Sequence, residues 1–241
     1  MLLMIMDEAK KDFLKAIELD ACFTDAYYNC GFVLKELKEY EDAIKYYKKA
    51  IELDSAAEDS YIELGACLHE EGRYEEALES YNYALNISPN NPKVLYNIGL
   101  TYTEMKNYDM AIEMIQNALS VNKNSESYNA IGICFYLKKD FSKSISYFNK
   151  AINLSNDESY LYNNRGECYL QLEKYDEAIN DFSLAISLND PHFDIYLSRA
   201  NCYIKIGKYK EALNDYNKVL EIDEGNLEAI EGKRIVLEKS S

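Results

Sequence analysis

Turn-forming residues are scarce in this 241-residue chain, which has only 9 Gly and 3 Pro. That is too few for the many tight connections of a β-sandwich or a many-stranded α/β fold. An all-α fold is the expectation. The length is great for one hydrophobic core and short for two independent domains, which leaves one large domain or a repeat array. Positive charge is also in short supply: 26 Lys and Arg stand against 42 Asp and Glu, a net charge of −16. Such a surface repels nucleic-acid phosphates and anionic lipids alike, so neither nucleic acid nor membrane is an expected partner. No apolar run approaches the roughly 20 residues that span a bilayer. The apolar start, Met1 to Met6, lacks the cationic residues of a secretory signal and runs at once into Asp7 and Glu8. The chain reads as cytoplasmic.

Site chemistry is equally thin. With 6 Cys, 2 His and no CxxC pair, no zinc spacing exists. His69 precedes Glu70 and Glu71, but no second His stands four residues on, so it is expected as a surface side chain. Gly225 and Gly232 enclose six residues where a phosphate loop has four, and no strand precedes them. The sequons at Asn86 and Asn153 carry no weight without a secretion signal. No nucleophile, base and metal set converges, so no catalytic residue, no metal and no cofactor is expected, and the chain reads as non-enzymatic.

What is present is a period. The run Tyr40, Glu41, Asp42, Ala43, Ile44 recurs at Tyr74 to Leu78, Tyr108 to Ile112, Tyr175 to Ile179 and Tyr209 to Leu213. Glycines 31, 65, 99, 132 and 166, with Ala200 next in line, step by 34 residues except once by 33. A second ruler of small residues, Ala16, Ala50, Ala84, Ala118, Ala151, Ala185 and Val219, does the same. Both lose their residue between Ala118 and Gly132, which places a one-residue deletion in a turn near Lys123 to Ser125. Each repeat is numbered from 1 at Thr24, Glu58, Pro92, Ser125, Ser159 and Phe193. Apolar positions 4, 7 and 11 then make one stripe of a first helix, and positions 17, 20, 24 and 27 make one stripe of a second. All three prolines, Pro89, Pro92 and Pro191, fall between repeats, while Gly72 and Gly207 fall between the helices of one repeat. Glycine at position 8 costs a helix about 0.5–1 kcal/mol relative to Ala. It is therefore expected where the second helix, with its small residue at position 20, approaches closely.

Aromatic-x-x-Leu-Gly-x-x-Tyr followed by Ala-x-x-x-aromatic-x-x-Ala, with Pro89 at position 32, resembles the tetratricopeptide repeat. The resemblance implies a right-handed superhelical solenoid of helix-turn-helix repeats. It covers a single domain 1–241: a truncated repeat 1–23, repeats 24–57, 58–91, 92–124, 125–158, 159–192 and 193–226, and a capping helix 227–239. Position 4 departs from the family in carrying Tyr rather than Trp, and position 32 is Pro only once. The resemblance also implies a scaffold whose concave face, built by the first helices, binds a peptide segment of another protein. A substrate-docking region of a larger multidomain enzyme or assembly is the alternative.

With positions 4, 7, 8 and 11 buried, the stripe at 2, 5, 6, 9, 12 and 13 is left to line that groove. Its expected binding residues are Tyr28, Asn29 and Phe32; Ile62, Glu63 and Glu70; Tyr96, Asn97 and Leu100; Asn129 and Ile133; Asn163, Asn164 and Asn201. Asn29, Asn97 and Asn164 share position 6. They are similar to the asparagine ladder with which some members of the family grip a peptide backbone, since an amide both donates and accepts. The stripe holds nine carboxylates (Asp25, Glu36, Asp59, Glu63, Glu70, Glu104, Glu126, Glu167, Asp194) against Lys35, Lys93 and Lys205. This excess predicts a basic or neutral partner, with Glu63 and Glu70 exposed to it. No repeat pairs Lys at 5 with Asn at 9, so the carboxylate-clamping subclass of the family is disfavoured.

Two further expectations come from comparing repeats. Only the two with Arg at position 7, Arg165 and Arg199, carry Asp at position 23, Asp181 and Asp215, which predicts a half-buried ion pair inside each repeat. Four of the cysteines, Cys67, Cys134, Cys168 and Cys202, occupy position 10, a semi-buried packing site for free thiols. At the amino end, Met1 to Met6 stand where a complete first helix should cover Phe13 and Ala16. A homodimer through this end, an upstream repeat in the natural protein, or a self-shielding continuation of the helix are the three ways to cover it.

Overall fold

The structure is a computed structural model describing residues 2–188 and 192–239, with side chains from Met6 onward. Pro191, Met1 and the side chains of Leu2, Leu3, Met4 and Ile5, on which the expected apolar end rests, lie outside the described residues. Two compact units divide the chain, residues 1–123 and 124–241. The first contains α1 (Leu2–Leu19), α2 (Thr24–Glu36), α3 (Tyr40–Leu53), α4 (Glu58–Glu70), α5 (Tyr74–Ile87), α6 (Pro92–Glu104) and α7 (Tyr108–Val121). The second contains α8 (Ser125–Leu137), α9 (Phe141–Leu154), α10 (Ser159–Gln171), α11 (Tyr175–Ser187), α12 (Asp194–Lys205), α13 (Tyr209–Ile222) and α14 (Leu227–Lys239). Within each unit the helices pack in sequence-adjacent pairs, and each pair rests on the next. The chain continues as helix through the amino-terminal segment: α1 is unbroken from Leu2 and packs on α2.

The turns explain why the helices stop. Within every repeat the residue at position 15 adopts a left-handed backbone: Lys38, Gly72, Lys106, Lys139, Glu173 and Gly207, with φ between 58° and 76°. Only Gly72 and Gly207 occupy it without cost; a side chain there is disfavoured by roughly 1–2 kcal/mol. Between repeats, α6 starts with Pro92 after Asn91, whose side chain accepts from the Lys93 and Val94 amides. The inter-repeat turn ending at Asn124 is shorter than the others, residues 122–124 against 54–57, 88–91 and 155–158, where the repeat rulers place the deletion.

The core follows the register more tightly than alternating stripes suggest. Position 3 (Ala26, Ser60, Val94, Ser127, Leu161, Ile195) is sealed at 2 % exposure or less. Position 10 is equally sealed at its four cysteines, which are fully buried rather than semi-buried and are free thiols. Burial raises the Cys67 and Cys202 thiols to about 12 and the Cys30 and Cys168 thiols to about 11, so at neutral pH they are packing groups, not nucleophiles.

Glycine at position 8 is required by a different neighbour from the one the spacing suggests. A Cβ on Gly65 would lie 2.5 Å from the Tyr81 ring, on Gly132 2.5 Å from Phe148, on Gly166 2.8 Å from Phe182 and on Gly31 2.9 Å from Tyr47. The ring at position 24 therefore seats on the glycine. The small residue at 20 touches its backbone from the side: the Ser144 hydroxyl donates to the Gly132 carbonyl at 2.7 Å. Each ring is fully buried, and such burial stabilises by about 1.5–3 kcal/mol.

Candidate functional site

The face of the first helices that carries positions 5, 6, 9, 12 and 13 bears a depression in each unit, and these two are built from the same six register positions. In the first, α4 supplies Ala66, His69 and Glu70 (positions 9, 12 and 13), α5 supplies Tyr81 (24), and α6 supplies Asn97 and Leu100 (6 and 9), around a cavity of about 110 Å³. In the second, α8 supplies Ile133, Tyr136 and Leu137, α9 supplies Phe148, and α10 supplies Asn164 and Glu167, around a cavity of about 390 Å³. The repeat geometry makes this coincidence. The step between consecutive first helices leaves a notch floored by the position-24 ring and walled by an asparagine amide.

The two notches differ in chemistry. The first is the more polar: Glu70 is exposed at its rim, and the His69 Nδ1 lies 3.0 Å from the Thr101 hydroxyl with its ring edge-on to Tyr74. His69 is thus half-buried and packed, not the free surface residue its sequence context suggests. The second is apolar on three sides. Its carboxylate, Glu167, is raised above the ordinary range by burial, partly offset by the Ser198 hydroxyl that donates to it at 2.6 Å. The Asn164 side chain donates to the Asn129 amide oxygen at 3.0 Å, which fixes its orientation toward the notch.

Other residues expected in the groove sort into three groups. Tyr28, Asn29, Tyr96 and Asn163 are half-buried on this face, and Phe32 is 43 % exposed with the Lys35 ammonium 5.3 Å over its ring. Asn201 is engaged at the carboxyl end, donating to Glu228 at 3.2 Å and accepting from the Tyr216 hydroxyl at 2.9 Å. Two do not belong to the accessible face. Ile62 is 2 % exposed and forms part of the core that includes Leu34, Tyr47 and Leu68, because an aliphatic side chain at position 5 gains more from burial than from facing water. Glu63 is 8 % exposed, not free: it takes the asparagine place at position 6 and is clamped by the Lys35 and Lys93 ammonium groups at 2.7 and 2.9 Å. Burial raises its carboxyl, but the hydrogen bonds and charges of the two lysines outweigh burial and leave it below the ordinary value. At this step a clamped carboxylate stands where the two notches carry an asparagine amide. The acidic pair proposed from sequence is thus reduced to Glu70. The floor residues Tyr81 and Phe148 escape a sequence reading of the first helices because they come from the second.

Both expected ion pairs are present and are bidentate. Arg165 donates through Nε and a terminal nitrogen to Asp181 at 2.7 Å each, and Arg199 does the same to Asp215 at 2.8 and 2.7 Å. The third guanidinium contact, unforeseen in sequence, reaches back to the preceding repeat: Asn149 at 2.6 Å and Ser183 at 2.9 Å. Each pair therefore ties three helices together. The aspartates are only 3 % and 4 % exposed, so these are packing elements rather than reactive groups.

Models of the tetratricopeptide repeat match residues 24–56, 92–125, 159–190 and 193–226, with further repeat models at 46–79, 67–106 and 125–158. The chain belongs to the tetratricopeptide-repeat family, an all-α solenoid fold that generally serves protein–protein interaction and is generally non-catalytic. No curated protein matches it significantly by sequence. Among solved structures it is similar to a chain of the APC/C hetero-tetramer Cut9–Hcn1 (18 % identity, TM-score 0.74, 96 % of this chain and 46 % of the other). It is likewise similar to pilF of Pseudomonas aeruginosa (20 %, 0.73, 94 % and 97 %). A third is YrrB, described as a TPR protein with an unusual peptide-binding site (26 %, 0.58, 76 % and 94 %). The chain thus spans about half of the first of these. Among the described residues no helix is long and apolar enough to cross a membrane, and no group of three or more His, Cys, Asp or Glu is placed to hold a metal ion.

Proposed function

We propose that this chain is a non-catalytic scaffold that holds a peptide segment of a partner protein on the asparagine-bearing face of its first helices. The observation that carries the reading is the pair of register-equivalent notches, each with an asparagine amide on its wall and an aromatic ring as its floor. An amide beside a hydrophobic notch can bond one peptide group while an adjacent side chain of the ligand fills the notch, which recognises an extended segment. The Ile133, Tyr136, Leu137 and Phe148 notch takes an apolar side chain. The Glu70 notch takes a small or basic one, as the net charge of −16 also favours. The likeness to YrrB, a TPR protein with an unusual peptide-binding site, supports the same reading. It holds equally if the segment is the docking part of a longer enzyme or assembly.

Peptides selected from a random library against the whole chain provide the test. Asn97→Ala and Asn164→Ala should each weaken the selected peptides by about five-fold, the equivalent of one net hydrogen bond of about 1 kcal/mol. Affinities unchanged in the combined variant would remove the asparagines from the site.

A further inference from the structure

On the opposite side of α4, between α3, α4 and α5, lies an open cavity of about 320 Å³. It is turned away from the asparagine face, because positions 4, 7 and 11 fall about half a helical turn from positions 2, 5 and 9. The second unit shows what belongs in such a place. There the residue at position 7 is Arg165 or Arg199, and its guanidinium lies 5.6 or 5.7 Å from the ring of the position-4 tyrosine, Tyr162 or Tyr196. The aspartate at position 23 completes the seat.

In repeat 58–91 the ring of that seat is kept, while its guanidinium and its aspartate are both replaced. The position-4 tyrosine is present as Tyr61, but position 7 is Leu64 and position 23 is Ser80, whose hydroxyl turns to the Tyr61 carbonyl at 2.9 Å. Carboxylates have moved to the walls: Glu79, Glu76 and Glu52 line the cavity against the single cation Lys48. Arg73 holds Glu76 at 2.6 Å and Lys49 holds Glu52 at 2.8 Å, whereas Glu79 has no ion pair among the described residues. Tyr83, 57 % exposed, stacks on Tyr61 at 5.3 Å and extends the aromatic wall to the surface.

We propose that this cavity binds an arginine side chain of a partner protein, with the guanidinium laid against Tyr61 and paired with Glu79. It would receive from outside what Arg165 and Arg199 supply from within. A planar guanidinium lies flat on a ring while two of its nitrogens bond one carboxylate side by side, a geometry that a compact ammonium cannot match. This site is separate from the asparagine face and does not rest on the function proposed for it.

Titration of the isotope-labelled chain with N-acetyl-arginine methylamide, followed by amide NMR, tests the proposal. Saturable shifts should centre on Tyr61, Leu64 and Ser80, and Glu79→Gln should raise Kd at least about five-fold. Leu64→Arg combined with Ser80→Asp rebuilds the internal pair and should abolish the shifts. Asn97→Ala and Asn164→Ala should leave them unaltered. The proposal is overturned if no saturable shift appears in this cavity, if N-acetyl-lysine methylamide binds as tightly, or if Glu79→Gln has no effect.

Discussion

Replacing Asp181 with Ala isolates the energetics that hold the second unit together. The substitution removes two charge-assisted hydrogen bonds of 2.7 Å from Arg165 and leaves it the Asn149 contact at 2.6 Å and the face of Tyr162. Breaking a buried pair from one side costs about 3–5 kcal/mol. The Arg165 side chain is 18 % exposed and keeps one hydrogen bond, which sets the expectation at the low end, about 3 kcal/mol. Arg165→Ala should cost a similar amount by stranding a carboxylate that is 5 % exposed. The repeats themselves supply the control. Repeat 92–124 solves the same space with Ile98 and Met114, so Arg165→Ile with Asp181→Met should recover most of the loss, to within about 1.5 kcal/mol of the parent. The chain has no Trp, so urea unfolding is best followed by far-ultraviolet circular dichroism. The cycle should give a coupling of more than about 2 kcal/mol. Additive single substitutions, or a paired apolar variant as unstable as the singles, would refute the reasoning.

Gly132→Ala should destabilise by about 1–3 kcal/mol despite the helix preference for Ala, and Phe148→Leu on top of it should restore part of the loss, both read from unfolding midpoints. Lys139→Gly, at a φ of 62°, should instead stabilise by about 0.5–1 kcal/mol in the same assay. Glu167, raised by burial, binds its proton more tightly folded than unfolded; its contribution is present at low pH and is lost as pH rises through the folded value. Glu167→Gln should therefore unfold later than the parent at pH 7 and together with it near pH 4. Glu63 has the opposite sign. Its depressed carboxyl stabilises above the ordinary value of 4.5 and loses this contribution as pH falls through the lower folded value. Glu63→Gln should thus lower the midpoint at pH 7, with the gap closing only below about pH 4.

The helices, their ends and the ion pairs were legible in the sequence because a 34-residue period repeats each local constraint several times. Glycine 72 and Glycine 207 marked turns that four other repeats form with Lys or Glu in the same left-handed conformation. The partner of the position-8 glycine was not legible. The rings at 24 reach it from the second helix, a contact that depends on the inter-helix angle rather than on spacing along either helix. The groove was legible as a face but not residue by residue. A helical wheel places Ile62 and Glu63 beside Tyr28 and Asn97, yet burial of one and the two-lysine clamp on the other depend on neighbouring repeats. Tyr81 and Phe148 floor the notches from outside the face that the wheel describes.

The side-chain amide resonances of Asn97 and Asn164, observed while a library-selected peptide is added to the isotope-labelled chain, test the central claim most directly. The peptide-scaffold account predicts that at least one of these NH2 pairs shifts and exchanges more slowly with solvent at saturation, together with the methyl groups of Leu100 or Ile133 and Leu137. Binding that saturates while both amide pairs and these methyls stay where they are would contradict it.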